Sequence, residues 1–249
     1  MLLLLGALAV VATIYALVQT STEARAAGAP ASETQVEQGK ALYLEGCASC
    51  HGLNAEGTSV APSLVGAGAA SVHFQVSTGR MPLAQPTVQV KRKEPTYNEE
   101  QTAQLAAYIA TLGAGPASPT PEQLDTTNAD LARGGELFRT NCAQCHNFAG
   151  KGAALTRGKF APTLMNSTPQ QVYEAMLTGP QSMPVFGDGT LTVQDKQDIL
   201  KYVDHLQAQT QPGGFALGSF GPVTEGALLF TLAVALMAGA AVWIGAKVR

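Results

Sequence analysis

Cys47-Ala48-Ser49-Cys50-His51 and Cys142-Ala143-Gln144-Cys145-His146 are two copies of one pattern, and together they hold all 4 cysteines of the chain. Two thiols separated by two residues can add across the two vinyl groups of one porphyrin, which sets the adjacent histidine against the iron. The spacing therefore predicts two covalently bound haem c groups, one held by Cys47 and Cys50 and the other by Cys142 and Cys145. His51 and His146 are the predicted proximal ligands. Two Cys-x-x-Cys pairs could instead form a four-cysteine zinc site, but that site needs no histidine after each second cysteine. A redox dithiol of the thioredoxin kind would sit in a βαβ unit, and no strand pattern precedes either motif.

Outward from these motifs, residues 34–210 read as two copies of one unit. Val36-Glu37-Gln38-Gly39-Lys40-Ala41-Leu42-Tyr43 matches Leu131-Ala132-Arg133-Gly134-Gly135-Glu136-Leu137-Phe138, and each leads to its first cysteine. Ala61-Pro62-Ser63-Leu64 matches Ala161-Pro162-Thr163-Leu164, and Thr78-Gly79 matches Thr178-Gly179. Val36, Gly39 and Tyr43 share one helix face, as do Leu131, Gly134 and Phe138, and the glycine lets a second helix approach closely. Leu105, Tyr108, Ile109 and Leu112 form the apolar stripe of that second helix, with Ile199, Tyr202, Val203 and Leu206 as their counterparts. Asn98 with Gln101, and Thr192 with Asp195, are its predicted N-terminal caps. Thr168-Pro169-Gln170-Gln171 has the cap, the N1 proline and the reciprocal glutamine of a capping box.

A six-coordinate haem needs a second axial ligand, normally methionine or histidine. Met81-Pro82 and Met183-Pro184 recur at matched positions, which predicts Met81 and Met183 as those ligands. His73 aligns with Tyr173, Met165 with Val65 and Met176 with Val76, so none of these has a ligating counterpart. His205 falls on the helix face away from the apolar stripe, and Lys91-Arg92-Lys93 reads as a solvated loop. Methionine offers a neutral, soft sulfur that favours Fe(II). Coordination filled from both sides leaves no open iron, so electron transfer is expected and no catalytic residue is predicted.

The chain has 249 residues, 13% of them charged, and a net charge of −3, too small to argue for nucleic acid. Residues 2–18 carry no charge and are followed by small and polar residues, which predicts a secretion signal over 1–27, either cut or kept as an anchor. Residues 227–246 form an apolar stretch long enough, at about 1.5 Å per residue, to cross a hydrocarbon core of about 30 Å. Trp243 near its end and Lys247 and Arg249 beyond it predict a cytoplasmic tail at 247–249, with both haem units on the extracytoplasmic face of the cell membrane. The expected organisation is mainly α: a haem domain at 32–113, a proline-bearing linker at 114–128, a second haem domain at 129–210, and a linker at 211–226 before the transmembrane helix at 227–246.

Each unit resembles a class I cytochrome c in its Gly-x-x-x-aromatic helix, Cys-x-x-Cys-His, Met-Pro and Leu-x-x-Tyr-Ile helix. The whole arrangement is similar to the dihaem cytochrome cc subunit of the actinobacterial quinol–cytochrome c reductase, a bc1-type complex. Phe74-Gln75-Val76-Ser77-Thr78-Gly79-Arg80-Met81-Pro82, Gln211-Pro212-Gly213-Gly214-Phe215 and Trp243-Ile244-Gly245-Ala246 strengthen the likeness. The resemblance implies an electron-transfer subunit of a menaquinol–cytochrome c reductase that converts no substrate with its own residues. It implies cytochrome b and Rieske iron–sulfur subunits as partners, with a terminal cytochrome c oxidase receiving the electrons within a supercomplex. The competing readings are a dihaem subunit of a cbb3-type oxidase, which usually anchors at its N-terminus, and a tethered shuttle. A dihaem peroxidase would need one open iron, against which two matched Met-Pro sites speak.

Overall fold

The computed structural model describes residues 31–85, 87–208, 217 and 222–247; the expected signal segment at 1–27 lies outside them. In chain order the described helices are α1 (Glu33–Gly46), α2 (Ala48–His51), α3 (Gly68–Ser77), α4 (Glu99–Ala110) and α5 (Pro121–Leu124). They continue as α6 (Leu131–Asn141), α7 (Ala143–His146), α8 (Pro169–Thr178), α9 (Val193–Ala208) and α10 (Pro222–Lys247). Between α7 and α8, β1 (Ala153–Ala154) pairs antiparallel with β2 (Phe160–Ala161), a short ladder that the sequence pattern does not announce.

The chain packs as two compact units. One comprises the described residues up to Asp125 together with Thr168–Val193; the other comprises Thr126–Ser167 and the described residues from Gln194 onward. The division cuts across the sequence repeat because α8, from the second copy, packs on α3.

In the first unit, the capping box of Ser32 and Gln35 starts α1, and α1 crosses α4 at Gly39. A Cβ at Gly39 would collide with the Gln104 carbonyl, so only glycine allows the two backbones this close. The Tyr43 and Tyr108 rings then meet at 5.4 Å between centroids, tilted by 51°. Tyr43, Leu105, Ile109 and Val76 form the heart of this core. Burial of each large aliphatic there stabilises the unit by roughly 1.5–3 kcal/mol. Asn98 and Gln101 form the expected capping box of α4. The helix stops at Ala110, where Thr111 turns its hydroxyl back onto the Tyr108 carbonyl at 2.7 Å, so Leu112 packs from the following turn rather than from the helix. The start of the linker is packed too: the Pro116 carbonyl accepts from Ala70 N at 3.0 Å, and Thr120 caps the single turn α5.

The second unit repeats the plan. Asp130 caps α6, a Cβ at Gly134 would strike the Asp198 carbonyl of α9, and the Phe138 and Tyr202 rings meet at 5.3 Å. Ile199 and Val203 of the predicted stripe are buried. The last helix, α10, begins at Pro222, about a turn earlier than the apolar run, and Val223–Lys247 is long and apolar enough to span a membrane. Its lysine ends the span with Nζ 4.3 Å from the centre of the Trp243 ring.

Candidate haem-binding sites

Each cysteine motif is wound into a single helical turn that grows directly from the preceding helix. Cys47 N donates to the Tyr43 carbonyl and Cys142 N to the Phe138 carbonyl, both at 2.8 Å, so the first cysteine of each motif is also the end cap of α1 or α6. All four thiols are free. Cys142 is buried, Cys47 and Cys145 are half-buried and Cys50 is exposed. Burial, and then the neighbouring Cys50 or Cys145, push the Cys47 and Cys142 thiols each up to about 11.

The histidines are fixed from behind. His51 Nδ1 lies 2.8 Å from the Pro62 carbonyl oxygen, and His146 Nδ1 lies 2.9 Å from that of Pro162. Donation from Nδ1 sets the tautomer in which Nε2 carries the lone pair, the arrangement a metal-bound histidine needs. Burial lowers the His146 pKa, against the smaller opposing effect of the Pro162 bond, which favours the neutral ring. The loops that deliver the prolines are closed in parallel ways. Gly57 N donates to the His51 carbonyl at 2.7 Å and Gly152 N to that of His146 at 2.9 Å. Sequence reading did not single out these two proline carbonyls as partners of the histidines; the repeated Ala-Pro was their only signal.

The methionine loops follow α3 and α8. Gly79 and Gly179 take left-handed backbone at φ of 65° and 56°, which is why Thr-Gly recurs. Met81 is half-buried against the first core, with its N–H on the Gln75 carbonyl at 3.0 Å. Met183 is half-buried, with its N–H on the Pro180 carbonyl at 3.1 Å. Met176 is buried inside α8, as expected of core filling, and His205 is exposed. Lys91, Arg92 and Lys93 are exposed on the loop between α3 and α4. His73, set aside by the repeat, is buried between two glutamates, Glu99 and Glu174.

Free thiols at the attachment spacing and histidines anchored through Nδ1 fit a haem bound covalently through both cysteines of each motif. A chain that attaches haem twice over through its own cysteines and ends in a membrane-length helix is a dihaem c-type cytochrome of the membrane-anchored kind. Residues 36–113 match the family model described as cytochrome c, and residues 129–203 match that of cytochrome c oxidase, cbb3-type, subunit III. Over nearly the whole chain it is similar to proteins named cytochrome bc1 complex cytochrome c subunit. The one from Mycobacterium leprae is 46% identical, with 99% of this chain and 87% of the relative covered. The one from Mycobacterium tuberculosis is 44% identical, covering 98% and 89%. That from Corynebacterium diphtheriae is 43% identical, covering 85% and 81%. The chain belongs to the family of cytochrome bc1 complex cytochrome c subunits, and it carries two covalently attached haem c groups.

Proposed function

We propose that this chain is the electron-relaying subunit of a menaquinol–cytochrome c reductase, taking electrons from a Rieske iron–sulfur centre and handing them to a terminal cytochrome c oxidase. Two haem-attachment motifs on one chain, in a family named for the bc1 complex, carry this reading. The haem supplies a reversible one-electron Fe(III)/Fe(II) couple. The chain supplies the rest. Cys47 and Cys50, and Cys142 and Cys145, form thioethers that prevent loss of the group. His51 and His146 would hold the iron through Nε2, each oriented by a proline carbonyl. Met81 and Met183 would each supply the second iron-holding side chain of its repeat. Their neutral sulfur would raise the potential of the haem they hold and would keep oxygen and peroxide from its iron.

The partners that follow are cytochrome b, the Rieske subunit and the oxidase. The basic Lys247 beside Trp243 supports a cytoplasmic C-terminus, with the haem domains outside the cell membrane. The match of residues 129–203 to cbb3-type subunit III favours a second reading, an oxidase subunit. Purification from membranes through a C-terminal tag separates the two: co-isolated b-type haem, Rieske protein and quinol oxidation support the reductase. A haem–copper oxidase recovered without any of them overturns it.

A further inference from the structure

The helix α3 leads through Thr78-Gly79-Arg80 to Met81, and α8 leads through Gly179-Pro180-Gln181-Ser182 to Met183. These two helices pack on each other. At their contact His73 Nδ1 lies 2.7 Å from Glu174 Oε2, and His73 Nε2 lies 2.9 Å from Glu99 Oε1. His73 is 6% exposed and Glu174 is 0% exposed, so their pair is interior, while Glu99 reaches the ring from the surface. Gln170 Nε2 donates to Glu174 Oε1 at 3.0 Å, and Gln171 Nε2 donates to Ser77 Oγ at 3.3 Å. Farther along, Gln181 Nε2 donates to the Val90 carbonyl at 3.0 Å, tying the Met183 loop to the segment after Met81.

An ionised carboxylate only accepts hydrogen bonds, and a neutral imidazole donates from one nitrogen alone. A ring with a carboxylate oxygen at each nitrogen therefore holds both protons, or Glu174 holds one of them. Either way the cluster keeps one proton more than a neutral histidine between two carboxylates. We propose that His73 is a positioning residue for Met183: carrying that proton between Glu99 and Glu174, it bolts α8 onto α3 and so sets where the second methionine stands. This rests on the reading of Met183 as an iron ligand.

The charged groups facing His73 are Glu174 from α8 and Glu99 from α4, with the neutral amide of Gln170 beside them. Burial alone would lower the His73 pKa, but the bonds and charges of Glu174 and Glu99 outweigh it and hold it above 6.5. Burial raises Glu174 above 4.5, with His73 pulling it back. Both folded values are raised. The stabilisation is therefore complete below the unfolded values and is lost as pH climbs through the folded pKa of His73. Beyond that point a neutral ring separates two carboxylates, one of them fully buried, and the bolt loosens.

The test uses the full two-haem chain. In the reduced state, a methionine bound to low-spin haem gives a strongly upfield-shifted methyl proton signal, so two are expected. Met183→Leu should remove one of them and so assign it. Raising the pH of the unsubstituted protein should displace the Met183 signal with the midpoint at which the His73 ring itself titrates. Glu174→Gln should move that midpoint down by about one pH unit, a tenfold loss of proton affinity. His73→Gln should displace the signal at low pH and abolish the transition. If Met183→Leu removes a signal that neither pH nor His73→Gln moves, the bolt is overturned alone. If Met183→Leu leaves both signals in place, the ligand reading itself falls. The titration of unsubstituted protein decides the matter even if His73→Gln does not fold, and Glu99→Gln, at a 77% exposed side chain, gives a milder second variant.

Discussion

Pro62 holds His51 from behind: its carbonyl oxygen lies 2.8 Å from Nδ1 of the imidazole. Pro162 does the same for His146 at 2.9 Å, although the loop between histidine and proline is longer in the second copy. The extra residues are taken up by the β1–β2 ladder, so the repeat preserves the acceptor rather than the loop. Proline has no N–H to donate and a fixed φ, which suits a residue whose carbonyl must face inward. An orienting acceptor behind a metal-bound histidine raises its basicity and removes rotational freedom.

Cys47→Ser combined with Cys50→Ser should leave one covalent haem per chain, as should Cys142→Ser with Cys145→Ser. Haem stain on a denaturing gel and a pyridine haemochrome normalised to protein give the count. Two haems remaining in either double variant would mean that attachment lies elsewhere.

Gly39→Ala and Gly134→Ala should each lower stability by about 1–3 kcal/mol, because the added methyl overpacks a backbone crossing. The sign is informative. The same change in an exposed helix interior would stabilise by about 1 kcal/mol. The clash is with the Gln104 or Asp198 carbonyl, neither of which can rotate away as a side chain would. Denaturant titration of the purified holoprotein measures it; a neutral or stabilising result in both would show that these helix pairs can separate at little cost.

Much of the local chemistry was legible in the sequence. The motif turns, the glycine crossings at Gly39 and Gly134, and the caps at Asn98 and Thr168 all follow from spacing and residue type. The membrane-length helix was legible because apolarity on all faces has few other uses. The packing of α8 on α3 was not, since it joins segments far apart in the chain and a comparison of the copies pairs these helices without bringing them together. His73 illustrates the loss: its partner in the repeat is Tyr173, so comparing copies removed it as a ligand and hid its contact with Glu174. Main-chain acceptors such as the Pro62 carbonyl show in the sequence only indirectly, here as the repeated Ala-Pro.

Met81→Leu and Met183→Leu should each remove one thioether-to-iron absorption band from the oxidised protein, admit exogenous ligands at that iron and lower its potential. The reason is that soft sulfur stabilises the ferrous state. Redox titration with added cyanide or imidazole reads both effects. A variant that keeps both bands would disqualify its methionine.

Removal of α10 should release a soluble, red, two-haem fragment, because the described residues before it supply the buried side chains of both units and both motifs. In the intact chain, a reporter fused after Arg249 should be active only in its cytoplasmic form. A periplasmic-type signal from that fusion would reverse the proposed orientation.

If electrons enter at one repeat and leave at the other, both irons lie on a single route, and neither repeat alone presents both partner surfaces. Met81→Leu and Met183→Leu should then each slow quinol-to-oxygen flow while leaving the complex assembled, since both side chains lie in half-buried loops rather than in the helix crossings. The two variants should differ in one respect. Damage to the exit side leaves the entry side rapidly reducible by quinol, with the block downstream, whereas damage to the entry side delays reduction of both. Rapid mixing of quinol with each variant, followed at the α bands of haem c, therefore orders the repeats along the route. Normal oxygen consumption with quinol in either variant would break the series, leaving a tethered shuttle with one dispensable haem as the better account.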